Sequence, residues 1–277
     1  MHRITVATNC YEKDVYYLLE CRGIKKAFEA FNYEFYEKLL TISTAEKTPK
    51  MVKLAEECVK EGIIDSYYFV CEHRTDIIEH FKINSFKRTS KLNLSVKLGL
   101  IKNLKNIYHF YFPKTGKSKL ISINEREYDG EGYSLGPLAA IYFAKGDYLL
   151  YFTEDCIQSE GDGWIDPAIY LLDNNPQFLC ARPFNDNLDL NWYKNWEVIE
   201  GFYIRFVFTD HMFLAPVSNL ANADYNCVYE KNFYPIYGGS CFEGKIFNYM
   251  QKSKQTILVS TTCKYIHEYD DYMNNKK

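Results

Sequence analysis

The stretch YLLYFTEDC, residues 148–156, decides how the rest of the chain is interpreted. Five residues suited to the inside of a β-sheet run directly into Thr153, Glu154 and Asp155. Burying a carboxylate without a partner costs several kcal/mol. We therefore expect the strand to end before the acids, which then meet a cation or a hydrogen-bonding ligand outside the sheet.

The residues before this stretch have the pattern of an α/β protein. RITVATNCY (3–11) alternates apolar and polar residues like a strand, and SLGPLAAIYFAKG (134–146) is predicted to be a helix that ends at Gly146. Pro137 is expected in the first turn of that helix, where proline is tolerated. Between these segments the sequence predicts further elements in alternation: a helix at 12–31, a strand at 37–44, a helix at 49–62 and a strand at 63–72.

Strands that alternate with helices imply right-handed crossovers and a mainly parallel, Rossmann-like sheet flanked by helices. Such open sheets bind ligands outside the carboxyl ends of their strands. Because Thr153, Glu154 and Asp155 follow a strand of this kind, the sequence predicts that they lie at the functional edge of the sheet.

The organisation changes after residue 156. Helices are predicted at 164–176 and 244–254, and strands at 177–184, 201–216 and 255–272, the last with a polar tail. The strand at 201–216 is expected to place Thr209, Asp210 and His211 at an end. Since no linker or repeat separates the parts, we predict one domain, 1–277, with halves 1–156 and 157–277 and a mixed second half.

Composition excludes several classes of protein. The chain has 277 residues with 25 Tyr and 19 Phe, an aromatic content that is too high for a disordered protein. Its net charge of −3 gives no positive electrostatic field that would attract nucleic acid. Nine cysteines without CxxC pairs, after a start that lacks an apolar leader, predict free thiols in the cytosol. No run of apolar residues is long enough to span a membrane.

The section 82–124 is unusual because it holds ten Lys or Arg and no Asp or Glu. It is interpreted as a solvated insertion, with a phosphate-facing rim or a surface on anionic lipid as the alternatives. In the lipid alternative, 82–119 makes a peripheral contact at the inner face of a membrane.

Several catalytic motifs are absent. KTGKS (114–118) echoes a P-loop, but Tyr111 stands where the first glycine would be needed. The sequence also lacks GxGxxG after the first strand, HExxH, GxSxG and a paired-cysteine zinc site. A Rossmann dehydrogenase and a zinc hydrolase are therefore disfavoured.

Residues 129–156, DGEGYSLGPLAAIYFAKGDYLLYFTEDC, resemble family 2-like glycosyltransferases of the GT-A fold. In that family a glycine-containing loop, a small-residue helix, A-x-G-D-Y and an apolar strand lead into an Asp-x-Asp motif. Thr153 takes the place of the first Asp, Glu154 the middle position and Asp155 the second Asp. The resemblance implies that Asp155 holds Mn²⁺ or Mg²⁺ on the donor diphosphate. Thr153 can hydrogen-bond a ribose but supplies no charge, so either Glu154 helps to hold the ion or the metal site is weaker than usual. The alternative is that the two acids only cap a turn.

The same resemblance extends to the first strands. ITVATNCYEKDVYYLL (4–19) is similar to the family's first strand and loop, which implies base or ribose contacts from Thr8, Asn9 and Tyr11. Glu72 follows the predicted third strand and is a further donor-site candidate.

Three residues of the second half complete the predicted site. Glu243, at the head of the helix predicted after YGGSC, is the preferred catalytic base, and Asp210, in FTDHMFLAP, is the alternative. His267 lies where many GT-A enzymes carry a late histidine, which implies a metal ligand.

The resemblance implies a hexosyl-type glycosyltransferase, inverting and metal dependent, that acts in the cytosol. Half 1–156 would bind a nucleotide-diphosphate sugar, with a UDP-sugar favoured, and half 157–277 would bind a glycan or lipid-linked saccharide, anionic if 82–119 lines its site. Two alternatives remain open: a nucleotidyltransferase, and a non-catalytic protein that binds nucleotide sugars or glycans on the same fold.

Overall fold

The computed structural model describes residues 2–84, 86, 130–186, 196–227 and 241–267. Its strands are β1 (Ile4–Tyr11), β2 (Glu37–Ser43), β3 (Ser66–Phe69), β4 (Tyr148–Phe152), β5 (Cys156–Glu160), β6 (Phe178–Asn185), β7 (Val198–Ile199), β8 (Phe202–Arg205), β9 (Met212–Pro216) and β10 (Thr256–His267). Its helices are α1 (Gly23–Glu29), α2 (Pro49–Lys60), α3 (Val70–His80), α4 (Gly132–Phe143), α5 (Ile165–Asn174), α6 (Val217–Ala221) and α7 (Phe242–Ser253).

These strands form one sheet in the order β3-β2-β1-β4-β9-β6-β10-β8-β7, and β5 pairs with β10. Strands β1 to β4 are mutually parallel where they pair. Strand β9 is antiparallel to β4 and β6, whereas β6 and β10 are parallel. The predicted fold class, a parallel first part and a mixed second part flanked by helices, is confirmed.

The chain reverses its direction of travel across the sheet at β1. It moves outward from β1 to β2 and β3, and then returns to add β4 on the other side of β1. A crevice opens at such a topological switch point, outside the carboxyl ends of the two strands, and open α/β sheets bind their ligands there. The ends of β1 and β4 are therefore where the site is sought.

Helices cover both faces of the sheet because successive strand residues point to opposite sides. In β4, Leu150 and Phe152 belong to the core under α1, α2 and α5. Leu149 and Tyr151 belong to the core under α3, α4 and α7. Every residue of β4 is buried, as the apolar run of the sequence predicts.

A buried carboxylate holds the amino edge of the sheet together. Glu37 accepts hydrogen bonds from the Thr5 hydroxyl at 2.8 Å and the Lys145 backbone N–H at 3.0 Å, and Lys145 Nζ lies 2.9 Å from it. Burial acts to raise the pKa of Glu37, but the bonds from Lys145 and Thr5 outweigh it and leave the pKa below its usual value. Gly146 allows this close approach, because a Cβ there would lie 2.6 Å from the Thr5 nitrogen.

The predicted single helix at 12–31 is wrong. The structure has a 3₁₀ turn at Glu12–Asp14, a π-helical turn at Tyr16–Glu20 and then α1. Arg22 separates the last two with a left-handed backbone, φ 57°. Its guanidinium donates to the Leu19 carbonyl and to two carboxylates, that of Glu57 in α2 and, at 2.6 Å, that of Glu61 directly after α2. These tertiary contacts hold a backbone conformation that a helical pattern does not predict.

Two predicted strands have different bounds. Strand β3 is only Ser66–Phe69, and Val70 begins α3, so the predicted strand 63–72 contains a shorter strand followed by the first turn of a helix. The segment 201–216 is two strands, β8 and β9, and Asp210 and His211 precede β9 rather than end a strand.

Helix α4 begins at Gly132, two residues before its predicted start. Pro137 therefore lies inside the helix, in the second turn. Strand β5 and helix α3 were not predicted. Within the described residues, no helix has both the length and the apolar character needed to cross a membrane.

Candidate functional site

The end of β4 is joined to the beginning of β9. The Thr153 backbone N–H donates to the His211 carbonyl at 2.8 Å, and the Cys156 N–H donates to the Thr153 carbonyl at 3.0 Å, which closes a turn. Within this turn the Thr153 hydroxyl lies 2.7 Å from Asp155 Oδ1, to which it donates. Thr153 thus fixes the orientation of the Asp155 carboxylate.

Glu154 is a buried carboxylate with little compensation. Its side chain is 8% exposed, and its nearest cation is Lys13, whose Nζ lies 3.6 Å from Oε1. The other oxygen, Oε2, is buried, and nothing in the described part of the chain forms a hydrogen bond with it. Burial, followed by the charges of Asp155 and Asp14, raises the pKa of Glu154 to about 8. The protein therefore keeps an acid in a place where its ionised form is unfavourable.

Asp14 is a second acid with a buried carboxylate oxygen, and it follows β1, the strand next to β4. It lies in the turn that follows β1, and its Oδ2 is buried without a hydrogen-bond partner from any residue that the structure describes. Burial is the largest cause of its raised pKa, and the charge of Asp155 adds to it. Since β1 and β4 pair, Asp14 and Glu154 lie together at the switch point. Sequence reasoning missed Asp14.

Asp210 belongs to the same acidic group. Burial raises the pKa of the Tyr11 phenol well above its usual value, and the charges of Glu154 and Asp210 raise it further. Burial also raises the pKa of the Tyr151 phenol, and the charges of the same two acids contribute to the rise. Tyr11 therefore lies among the acids. We call Asp14, Glu154, Asp155 and Asp210 the acidic group.

Thr8 and Asn9 lie deeper. Both are fully buried. The Asn9 amide oxygen accepts hydrogen bonds from the hydroxyls of Thr41 at 3.0 Å and Ser43 at 2.8 Å. Its side chain packs against Gly136 of α4, where a Cβ would approach to 2.7 Å. These two side chains support the crevice from inside, and they have no solvent-exposed surface here for a nucleotide to contact.

Two helices direct their N-termini to the same edge. Helix α4 ends at the amino edge, where Gly146 N donates to the Thr5 hydroxyl, so its first turn lies at the carboxyl edge. Helix α7 leads into β10 and has the same direction. The Phe242 N–H donates to the Ser134 hydroxyl at 2.8 Å, which joins the two first turns. Helix N-termini carry partial positive charge and favour anions.

The remaining predicted residues are distributed as follows. Glu243 is half-buried in the first turn of α7. Glu72 lies in the first turn of α3 and pairs with Lys47 at 3.0 Å. Helix α3 directly follows β3, which is the edge strand of the sheet and lies two positions from β1. The strand register sets His267 opposite Cys156, next to Asp155 in sequence. The structure thus brings Tyr11, Thr153, Glu154, Asp155 and Asp210 together, and separates Glu72 from them.

The described residues contain no group of three His, Cys, Asp or Glu side chains spaced to hold a metal ion by themselves. The predicted basic surface at 82–119 lies outside the described residues except for 82–84 and 86.

No protein-family model matches this chain, and no curated protein matches its sequence significantly. Among solved structures it is similar to S. aureus TarS, with a TM-score of 0.43 and 8% identity over 95% of this chain and 36% of that chain. It is also similar to UDP-glucose pyrophosphorylase in complex with UDP-glucose, with a TM-score of 0.42 and 9% identity over 96% of this chain and 92% of that chain. Mouse xyloside xylosyltransferase 1 has a TM-score of 0.37 and 8% identity over 91% of this chain and 82% of that chain. The chain spans little more than a third of TarS. At such TM-scores the function has to be argued from the residues of the site.

Proposed function

We propose that the protein is a GT-A-type glycosyltransferase that takes a nucleotide-diphosphate sugar as donor. The observation that carries the proposal is the acidic group at the β1/β4 switch point, where buried oxygens of Glu154 and Asp14 have no hydrogen-bond partner among the described residues. An uncompensated acid at a ligand-binding edge is a candidate functional group, because it destabilises the fold and titratable groups perturbed in this way cluster at functional sites. The resemblance of residues 129–156 to the family agrees with this position.

The acidic group has the chemistry to hold a hard divalent cation that arrives with a diphosphate. Mg²⁺ and Mn²⁺ prefer oxygen ligands, and Mg²⁺ commonly takes one or two protein carboxylates and completes its shell with phosphate oxygens and water. Asp155 is the proposed ligand, and Glu154 Oε2 is a second available oxygen. His267 remains a proposed third ligand. When bound, the ion would neutralise charge on the nucleotide diphosphate.

The chain's own groups have distinct proposed roles. The N-termini of α4 and α7 would favour the negative charge that develops on the departing diphosphate. In an inverting transfer, the acceptor hydroxyl attacks the anomeric carbon, the bond from that carbon to the diphosphate oxygen breaks, and the hydroxyl proton passes to a carboxylate. Glu243 is the proposed base, because Asp210 belongs to the acidic group near Tyr11 and is better suited to the donor.

The two alternatives have less support. A nucleotidyltransferase is expected to have a glycine-rich basic loop directly after β1, whereas this chain has Glu12–Asp14 and then a π-helical turn without glycine. A non-catalytic binding protein would need no base, and it would bind a nucleotide sugar without consuming it. The acceptor is proposed to be a saccharide, anionic or lipid-linked.

Slow hydrolysis of the donor separates the enzyme from the binding protein. The wild type and Asp155→Asn are incubated with UDP-glucose and other nucleotide sugars, with Mn²⁺ or with EDTA, and nucleoside diphosphate release is measured. We expect release that depends on Mn²⁺ and is lost in Asp155→Asn. Glu72→Gln is the matched control, since it removes a carboxylate at the same edge of the sheet and outside the acidic group. Binding without release under any condition would favour the non-catalytic alternative.

A further inference from the structure

Within the described residues, Arg182 is a buried cation with no carboxylate partner. It lies in the second half of β6, and the residue is only 5% exposed. Its Nη1 donates to the Pro183 carbonyl at 3.2 Å, whereas its Nε is buried and has no hydrogen-bond partner among the residues that the structure describes. Across the part of the chain that the structure describes, no Asp or Glu pairs with this guanidinium. Arginine is rarely buried unless it is paired, because an uncompensated charge in the interior is strongly unfavourable.

The sheet register sets Arg182 in one row with residues beside the acidic group. Its partner in β10 is Val259. The antiparallel pairing of β6 with β9 sets it opposite Phe213, which in turn is opposite Tyr151 of β4. Tyr151, Phe213 and Val259 all belong to the core under α4 and α7. The Arg182 side chain therefore enters that face of the sheet.

The guanidinium is displaced toward the carboxyl edge. Its Nη1 donates to the carbonyl of Pro183, a residue nearer that edge than Arg182 itself. At this level of the sheet β4 ends and Thr153 begins the turn. Strand β6 is two positions from β4, which is about 10 Å at the usual strand spacing. A ligand of the size of a phosphorylated sugar spans that distance.

The first turn of α7 lies beside the same row. The Phe242 ring stacks on Phe213, with ring centroids 6.1 Å apart. The positive end of the α7 dipole and the Arg182 charge thus approach one place from two elements. Opposite them, across β9, lies the acidic group.

We propose that Arg182 binds an anionic group of a substrate, a phosphate or a carboxylate, and that this anion supplies the missing counter-ion. A charged hydrogen bond to such a group is stronger than one between neutral partners, and the low dielectric of a buried site strengthens it further. The anion belongs either to the donor diphosphate or to the acceptor. Assigning it to a sugar-transfer substrate rests on the proposed function, whereas the anion site itself does not.

Melting curves with inorganic phosphate and pyrophosphate test the site directly, with NaCl at equal ionic strength as reference. We expect both anions to raise the melting temperature of the wild type above the reference. Arg182→Met should weaken the apparent affinity for them at least about tenfold, and Arg182→Lys should retain part of it. Arg3→Met is the matched control, because it removes the same charge at the amino edge and should leave the anion effect unchanged.

A second readout distinguishes a ligand-binding role from a structural one. If the role of Arg182 is to bind an anion, the melting temperature of Arg182→Met without anion should be no lower than that of the wild type. The substitution replaces a buried unpaired charge by an apolar side chain. A lower melting temperature without anion, together with an anion effect equal to that of the wild type, would overturn the proposal. So would the absence of any anion effect in the wild type, even if nucleotide sugars stabilise it.

Titrations with UDP and with uridine identify the source of the anion. If UDP binds Arg182→Met more weakly and uridine binds both proteins equally, Arg182 reads the donor diphosphate. If UDP binding is unchanged but the phosphate effect is lost, the anion belongs to the acceptor. Either outcome supports the anion site. An anion effect that survives in Arg182→Met would contradict it, whatever the nucleotides do.

Discussion

The Thr153 hydroxyl donates to Asp155 Oδ1 at 2.7 Å, inside the turn that connects β4 to β5. Thr153 has a hydroxyl at the position of the first Asp in the Asp-x-Asp motif of the family that this segment resembles. The change removes one negative charge from a group that already contains Glu154, Asp155 and Asp14. In the structure Thr153 positions Asp155 through this bond.

Thr153→Val keeps the shape of the side chain and removes the hydrogen bond to Asp155. Because groups that orient a metal ligand commonly contribute 10–100-fold to affinity or activity, we expect Mn²⁺-dependent donor hydrolysis to fall by about that factor. The measurement is the Mn²⁺ concentration dependence of nucleoside diphosphate release. Thr153→Ser, which retains the hydroxyl, should stay close to the wild type. Equal activity of the valine and serine variants would show that the bond is irrelevant.

Glu154→Gln should stabilise the protein in EDTA and impair donor binding in Mn²⁺. The unfolded chain ionises this carboxyl near pH 4.3 and the folded chain near pH 8, so this group lowers stability progressively as pH rises through that window. The variant lacks this loss, which amounts to several kcal/mol at most at about 1.4 kcal/mol per unit of pKa. Denaturant unfolding at pH 8.5 checks the direction.

The same measurement on Glu34→Gln, an exposed substitution of the same chemistry, provides the reference. If Glu154→Gln were less stable than the wild type at pH 8.5, the carboxyl would be a structural partner, and the account of the acidic group would fail.

Glu37→Gln should have the opposite effect. Glu37 has a lowered pKa in the folded protein, so its contribution to stability is complete above the ordinary glutamate pKa of about 4.3 and is lost as pH falls through the folded value. We expect Glu37→Gln to cost about 2 kcal/mol at pH 7, discounted because Lys145 is exposed. Below pH 4 the difference between variant and wild type should shrink.

Urea unfolding at pH 7 and at pH 3.5 measures this difference, again with Glu34→Gln as the control. A cost that is the same at both pH values would mean that the charge of Glu37 contributes nothing. The substitution is at the amino edge, so ligand binding at the other edge should be retained in the folded variant.

Glu243→Gln separates transfer from donor binding. If Glu243 is the base, turnover should fall by about 10²–10⁴-fold while the affinity for the nucleotide sugar stays unchanged. Asp210→Asn should instead weaken donor binding, because Asp210 belongs to the acidic group near Tyr11. Kinetics with an identified acceptor, analysed separately for kcat and KM, measure both effects. The reverse pattern would exchange the two roles.

The position of Thr153–Asp155 could be predicted because an apolar strand has a strong local sequence signal. The strand has to end before the acids, since unpaired carboxylates are unfavourable inside the sheet. The carboxyl end of β4, the crossovers and the parallel pairing all followed from that alternation. Asp14 was not found, although it follows β1 as Glu154 follows β4. Its segment has helical spacing, and only the contacts of Arg22 with α2 show that the chain turns there.

Arg182 was missed for a different reason. In the strand segment QFLCARPF an arginine is expected to face solvent, and nothing in the sequence indicates that both faces of β6 are covered. The split of 201–216 had a similar cause, because Phe206 and Phe208 continue the apolar pattern through the connection that leads to Asp210. Burial of this kind depends on which elements stack on the sheet, and a single sequence does not contain that information.

The most direct test of the central claim is a thermal-shift screen of UDP-, GDP-, CMP- and dTDP-linked sugars, with and without Mn²⁺, on the wild type and Asp155→Ala. A ligand that binds only the folded state raises its melting temperature by mass action. The account predicts a Mn²⁺-dependent shift with one nucleotide, a UDP-sugar by preference, that disappears in Asp155→Ala. If no nucleotide sugar shifts the wild type, or if the shift is unchanged in the variant, then Glu154 and Asp155 do not form a donor site and the proposed function is contradicted.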